Sequence, residues 1–375
     1  MAGFVYFLRM PSTPTASEAV GGIETLIQSQ GAELSRRGWR VGVLCGAPPE
    51  IVHRLLGALA QHDLGGNLIG VTATQVPLRL RKLASQQEVT AVIAEGDREV
   101  TCACAGLLNA RQVSLIWRHH TLVEGLRRRA LLNRLLDHTL FRRVDSHIAI
   151  SRKVEHLLRQ QRRALRPIHF VPNGVSAPKE ETHTFSNSPS SLEPRLALIG
   201  RLDNRKGHDV LFKAMSVLRS HHSLLLHAAI VGSGSHQHVL EEMARALGLA
   251  ASVRFLGDLP DPWSAVSDAE VLVVPSLNEG VPLVILEGLA RRKVIVASDV
   301  GAVQEVVQHN VNGFLVPSGD PVSLAQTLRH VFTVASASLV QMRDAAHRAY
   351  TDRYTIAASC DALQRAILAT EKETA

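Results

Sequence analysis

The chain has 375 residues, well past the length at which one hydrophobic core stops growing comfortably, so two domains are expected. Its 46% hydrophobic and 20% charged residues exclude a disordered or collagen-like chain. The formal net charge of +7 is concentrated: residues 127–166 hold twelve Lys and Arg against Asp137, Asp145 and Glu155, and the rest of the chain is close to neutral.

No apolar run approaches the roughly 18 residues of a membrane span, and Met1 to Pro11 carries no basic segment ahead of its short apolar stretch. Neither a transmembrane helix nor a signal peptide is expected. Cys45, Cys102, Cys104 and Cys360 form no Cys-x-x-Cys pair and no zinc spacing, so reduced thiols in a cytoplasm are expected.

In the first half, short β-branched runs alternate with helical patterns, the signature of a parallel sheet wrapped by crossover helices. Residues 4–8 form the first expected strand, and the loop from Arg9 ends in Gly21-Gly22-Ile23-Glu24 at the head of a helix reaching about Arg37. Two glycines there either make a turn or let a ligand touch N–H groups that lack intrahelical partners. Strands are expected at 41–44, 91–94 and 113–116, the last running into Trp117-Arg118-His119-His120-Thr121. Adjacent histidines in extended chain point to opposite sides, so at most one serves a site. Next, Leu126, Leu131, Leu132, Leu135, Leu136 and Leu140 interleave with Arg127, Arg128, Arg129, Arg134, Arg142 and Arg143 in one amphipathic helix. Those arginines are either solvated or turned to an anionic membrane surface. Phe141 is the one aromatic residue in the basic segment, and no nucleic-acid module is visible, so nucleic acid is not an expected partner.

Strands at 147–150 and 168–171 follow, then the turn Pro172-Asn173-Gly174. Residues 177–194 are Ser, Thr, Pro, Asn and Glu with hardly an apolar side chain, too little to offset their own ordering, and read as a linker. The alternation then restarts: strands at 196–199, 224–231, 253–256, 271–274, 294–297 and 313–316, with helices near 207–221, 236–247 and 281–290. Helices at 323–334, 339–350 and 356–370 close the chain. The fold class is α/β: residues 1–176 make one doubly wound domain, 195–350 a second, and 351–375 a terminal helix.

In such sheets ligands bind beyond the carboxyl ends of strands, and anions favour helix N-termini. Gly200-Arg201-Leu202 follows a strand, with Lys206-Gly207 opening the next helix. Two cations beside free N–H groups make either a diphosphate site or a solvated pair. After the strand 271–274 comes Glu279-Gly280-Val281-Pro282-Leu283-Val284-Ile285-Leu286-Glu287. Pro282 suits a first helical turn, with the amides of 280–283 facing out. Glu287, set among Val284, Ile285, Leu286 and Leu289, needs a partner such as a diol.

Taken together, Gly200-Arg201-x4-Lys206-Gly207, the Glu-x7-Glu segment 279–287, Gly21-Gly22-Ile23-Glu24, Pro172-Asn173-Gly174-Val175 and Gly313-Phe314-Leu315-Val316 resemble a retaining glycosyltransferase of family 4 with a GT-B fold. One departure is Ser176, where the family often has Asp. The resemblance implies two Rossmann-like domains facing across a cleft, the first binding acceptor and the second a nucleotide-sugar, with the last helix crossing back to the first. It assigns Arg201 and Lys206 to the donor diphosphate, Glu287 to the ribose hydroxyls, and Glu279 with the amides of Gly280, Val281 and Leu283 to the transferred sugar. Gly22 would bring backbone close to phosphate or acceptor. His120, followed by Thr121, fits the family pattern better than His119 and is expected beside the reacting carbon of the sugar.

Negative charge growing on the leaving diphosphate is met by Arg201, Lys206 and helix-start amides, so no metal and no other cofactor is expected. No Asp-x-Asp motif is present. The implied partners are a nucleotide-sugar and a cell-envelope glycan or lipid-linked acceptor, at the cytoplasmic membrane face if Arg127, Arg128 and Arg129 dock there. The loop 257–260 is the expected base reader. A GT-B sugar-nucleotide epimerase, an inactive sugar-binding relative and a nucleic-acid-binding protein are the competing readings.

Overall fold

The computed structural model describes residues 3–10, 21–46, 68–85, 89–120, 141–160, 166–178, 195–334 and 336–374. They fall into two compact units, Met1–Val175 with Ile356–Ala375, and Ser176–Thr355. The expected linker at 177–194 lies almost wholly outside the described residues, as do Thr121, Arg127, Arg128 and Arg129.

The first unit is built on a seven-stranded sheet of β1 (Phe4–Arg9), β2 (Arg40–Cys45), β3 (Leu68–Gly70), β4 (Ala91–Ala94), β5 (Ser114–His119), β6 (Ser146–Ala149) and β7 (Ile168–Phe170). Their spatial order is β3-β2-β1-β4-β5-β6-β7, and every pair is parallel. β1, β4 and β6 are buried along their whole length or nearly so, which is why they read as continuous apolar runs. One face packs Val5, Phe7, Ile93 and Ile116 against Ile27 and Leu34 of the Gly22–Arg36 helix. Ile356, Leu363 and Ile367 of the final helix, Ile356–Thr374, join the same cluster. The opposite face packs Tyr6, Leu8, Val92 and Trp117 against helices Val76–Ser85 and Asp97–Gly106.

The second unit has a six-stranded parallel sheet in the order β10-β9-β8-β11-β12-β13, where β8 is Leu196–Ile199, β9 Ala228–Val231, β10 Val253–Gly257, β11 Val271–Val274, β12 Val294–Ser298 and β13 Phe314–Val316. Its core joins Leu198, Ile230 and Val273 to Leu211, Phe212 and Met215 of the His208–His222 helix and Leu324 and Leu328 of the Pro321–Thr333 helix.

Several expected boundaries move. β9 begins at Ala228 rather than 224, because Leu224 caps the preceding helix through its N–H to the Leu218 carbonyl at 3.1 Å. The helix expected from 281 begins at Leu283, and Pro282 is its N-cap in extended conformation rather than part of its first turn. The second unit runs past residue 350 to Thr355, because Ser336–Arg353 is one continuous helix. β3, three residues at the sheet edge, has no counterpart among the expected strands.

Both sheets reverse their strand order at an equivalent place, between β1 and β4 in the first unit and between β8 and β11 in the second. Ligand-binding loops of open α/β sheets gather at such switch points.

Candidate functional site

At the switch point of the second unit, the chain leaves β8 at Gly200 and β11 at Pro275, and the two loops interlock. Lys206 ends a short 3-10 turn, Asn204–Lys206, which Asp203 caps by accepting the Arg205 N–H at 3.0 Å. Gly207 follows at φ +67°, so close to the Pro275 carbonyl that a Cβ would collide with it. Gly301, after β12, is likewise left-handed at φ +59° and pressed against the Glu279 carbonyl. Leu277 N–H donates to the Arg205 carbonyl at 2.7 Å and Ala302 N–H to that of Gly280 at 3.1 Å. The three loops, after β8, β11 and β12, are thereby stitched backbone to backbone.

This stitching brings Lys206 Nζ to 2.5 Å from Glu279 Oε1, which also accepts from the Ser276 hydroxyl at 3.0 Å. The lysine side chain remains 24% exposed and that of Glu279 14%. Arg201 is more open and lies 3.7 Å from Asp203 Oδ2, too far for a strong bond. Gly280 and Val281 are buried, and Leu283 is half-buried at the start of the Leu283–Ala290 helix, which has no side-chain cap.

Glu287, one turn further along that helix, accepts from Trp263 Nε1 at 2.8 Å through Oε2. Burial pushes its carboxyl above the usual range, against the opposing pull of the Trp263 hydrogen bond and of Arg291. The Arg291 guanidinium covers the Trp263 ring at 4.6 Å, fixing the indole. Trp263 follows β10 in the Pro260-Asp261-Pro262-Trp263 segment. Among the described residues, Glu287 Oε1 takes no hydrogen bond from protein.

At the switch point of the first unit, Gly21 is the N-cap of the Gly22–Arg36 helix without a side-chain hydrogen bond, and Gly22 is exposed as its first residue. Glu24 folds back under Gly21 and bonds Arg9 Nε at 2.8 Å, while Arg9 Nη1 reaches Glu99 at 2.9 Å. Arg9 ends β1 and so ties the first helix to the Asp97–Gly106 helix beyond β4.

The two histidines separate as alternation demands. His119 is buried, stacks on Trp117 with ring centroids 4.4 Å apart, and meets His147 Nδ1 at 3.1 Å. His120 leaves the end of β5 and places Nε2 2.6 Å from Glu95 Oε2. Glu95, which follows β4 directly, is buried and lies 3.2 Å from Arg118. Burial alone would raise its carboxyl, but Arg118 and the His120 hydrogen bond outweigh it and hold the group below the usual carboxylate range.

The structure therefore gathers Lys206, Glu279 and the start of the Leu283–Ala290 helix in one place, with Arg201 earlier on the loop of Lys206 and Glu287 one turn into that helix, and sets Gly22 and His120 beyond the carboxyl ends of the strands of the other unit. Ser276, Trp263 and Glu95 are additions that the motifs did not reveal. The signal for Glu95 was present, since a carboxylate directly after an apolar strand occupies the position in which the other site residues were sought. Among the described residues, no three His, Cys, Asp or Glu side chains gather as a metal would need, and no helix is long and apolar enough to cross a membrane. Among the described residues no disulfide joins any of the four cysteines, and burial pushes the thiols of Cys104 and Cys360 up to about 12.

Two parallel, doubly wound units of seven and six strands, each with charged loops at its switch point, define a GT-B glycosyltransferase fold. Residues 20–177 match the model of Glycosyltransferase Family 4, and residues 179–348 that of glycosyl transferases group 1. The chain belongs to glycosyltransferase family 4. It is 30% identical over 196 residues to the lipopolysaccharide core biosynthesis mannosyltransferase LpcC of Rhizobium leguminosarum bv. viciae, covering 50% of this chain and 54% of that one. It is 25% identical over 241 residues to an uncharacterized glycosyltransferase of Haemophilus influenzae, covering 63% and 65%. A D-inositol 3-phosphate glycosyltransferase of Salinispora tropica is 35% identical over 167 residues, 41% and 34% of the two chains. The chain thus spans about two thirds or less of the length of these curated relatives. Among solved structures, Anabaena Alr3699/HepE in complex with UDP aligns at TM-score 0.77 and 19% identity over 98% of this chain and 100% of that one. Sucrose-phosphate synthase from Thermosynechococcus elongatus aligns at 0.75 and 21% over 99% of both.

Proposed function

We propose that this protein moves a sugar from a nucleotide-sugar to a glycan or lipid-linked acceptor of the cell envelope, with retention of anomeric configuration. The observation that carries this reading is the Lys206–Glu279–Ser276 cluster at the switch point of the second sheet, a partly exposed cation beside a helix start with no side-chain cap. An incoming diphosphate competes with Glu279 for Lys206 and draws on Arg201, whose own partner is distant. Glu279, released toward the sugar and still held by Ser276, accepts from its hydroxyls. The Oε1 atom of Glu287 serves the ribose diol, next to the indole fixed by Arg291.

In the transfer step, the acceptor hydroxyl oxygen forms a bond to the anomeric carbon as the bond from that carbon to the diphosphate oxygen breaks. The hydroxyl proton passes to the departing phosphate on the same face, through an oxocarbenium-like transition state. Arg201, Lys206 and the amide of Leu283 stabilise the charge on the diphosphate without reorganising, so no metal is required. His120 acts on the transferred sugar. The relative named for lipopolysaccharide core synthesis and the neighbour solved with UDP support an envelope acceptor and a uridine diphosphate donor. The basic segment 127–166 supports a peripheral site of action on the inner membrane face.

A thermal-shift series with UDP, GDP, ADP and their sugars tests the reading. One nucleotide family is expected to raise the melting temperature, since a ligand of the folded state stabilises it by mass action. No shift with any at millimolar concentration overturns it. Turnover with the donor so found is expected to survive EDTA.

A further inference from the structure

The Ile356–Thr374 helix, last in the chain, is joined to His120 by an unbroken line of polar contacts. Ser359 Oγ on that helix donates to the Pro172 carbonyl at 2.6 Å and accepts from Gln30 Nε2 at 2.9 Å. Gln30, on the Gly22–Arg36 helix, accepts through Oε1 from Arg118 Nη1 at 2.9 Å. The same Nη1 lies 3.2 Å from Glu95 Oε1, and Glu95 Oε2 holds His120 Nε2 at 2.6 Å. Ser359, Gln30, Arg118 and Glu95 are all buried, Arg118 with 1% exposure.

Such a line is a poor device for stability alone. A buried ion pair replaced by apolar residues of similar volume is often neutral or stabilising, because desolvating two charges cancels their attraction. Here the guanidinium is incompletely served as well, with Nε and Nη2 taking no hydrogen bond among the described residues. What the arrangement does confer is direction. Glu95 is an ionised acceptor, held so by Arg118 and His120 against the effect of its own burial. An ionised carboxylate only accepts, so the proton on His120 must sit on Nε2, which leaves Nδ1 as the ring nitrogen that can change its state.

We propose that Glu95, Arg118, Gln30 and Ser359 are positioning residues that fix the tautomer and ring direction of His120, so that the last helix sets the histidine used in transfer. The catalytic consequence rests on the reading of His120 given under Proposed function; the tautomer does not.

The test combines nitrogen-15 NMR of the histidine rings in the full chain with release of UDP from UDP-glucose in the absence of acceptor. In the wild type, His120 is expected to carry its neutral-form proton on Nε2. Glu95→Gln offers an amide that can donate to Nε2, so the proton is expected to move to Nδ1 and kcat to fall about 100-fold, with KM and UDP affinity within about twofold. Because Glu95→Gln leaves Arg118 buried without its countercharge, the double variant Glu95→Gln/Arg118→Met removes both charges together and is expected to show the same loss of the Nε2–H tautomer. Gln30→Leu and Ser359→Ala are expected to lower kcat about 5- to 10-fold, with Ser359→Thr restoring it.

An Nδ1–H ring in the wild type, or a tautomer unmoved in both Glu95 variants, overturns the proposal. If His120→Ala leaves UDP release at the wild-type rate while Glu95→Gln still shifts the tautomer, the transfer role of His120 fails and the positioning stands. If His120→Ala abolishes release and neither the tautomer nor kcat responds to Glu95→Gln, the positioning alone fails.

Discussion

The two switch points treat their cations differently. Arg118, near the carboxyl end of β5 in the first sheet, is 1% exposed and faces a carboxylate with no exposure at all, whereas Lys206, in the loop after β8 of the second, is 24% exposed and bonded to Glu279 at 14%. A charge removed so fully from water cannot change partners without a large desolvation cost, and it therefore orients its neighbours. A charge left at the surface can exchange its carboxylate for another anion at little cost, because water screens every intermediate arrangement. The same strand order thus carries a rigid frame in one unit and an exchangeable cation in the other.

The largest expected effect breaks the exchangeable side. Lys206→Ala is expected to reduce transfer by about 100- to 1,000-fold, the loss typical of one missing charge-stabilising donor. Arg201→Ala acts in the same direction, and steady-state kinetics with the identified donor checks both. Near-native turnover with normal nucleotide affinity would remove the diphosphate role from these residues.

A second prediction sharpens the contrast between buried groups. His208, first residue of the His208–His222 helix, is 1% exposed with neither ring nitrogen bonded among the described residues, and burial lowers its pKa to about 4. Where Arg118 is buried charged and paired, His208 is buried neutral. Its unfolded form takes up a proton below the ordinary value of about 6.5 while the folded form does not, so stability present above that pH is lost as pH falls toward 4. The loss is roughly 3 kcal/mol. Urea unfolding at pH 7 and pH 4.5 should therefore show His208→Leu losing less stability on acidification than the wild type; equal losses would assign the imidazole an unrecognised partner.

Smaller effects are expected further from the leaving group. Glu287→Ala is expected to weaken nucleotide binding about tenfold by calorimetry while leaving kcat at saturating donor nearly unchanged, since it serves the ribose rather than the developing charge. Replacing Arg127, Arg128 and Arg129 with Gln should reduce salt-sensitive binding to anionic liposomes by about 1 kcal/mol per charge and leave nucleotide binding intact. Equal sedimentation with neutral and anionic vesicles would favour a solvated role for the segment.

Much of this organisation was legible in one dimension. The strands 196–199 and 271–274 read directly as apolar runs, because a central parallel strand is buried on both faces and its neighbours in sequence are buried with it. β3 was not legible, because three residues at a sheet edge carry too short a pattern to distinguish from loop. The extension of β9 to 224 misread a helix cap as strand, since Leu224 and Leu226 are apolar in either conformation.

The sequence by itself determined the kinds of elements, their order, the glycines where loops must pass close to one another, and the placement of cations and carboxylates after strands. All of these are local, set by hydrophobic period and by the φ angles and termini that a few neighbouring residues allow. Tertiary structure alone decided which groups meet. Lys206 and Glu279 are 73 residues apart, Glu95 and His120 25, and Gln30 and Ser359 329. Each pair is joined because parallel strands and the helices covering them lay distant segments side by side, and a hydrogen bond requires that approach to within about 3 Å, a length no pattern along the chain encodes.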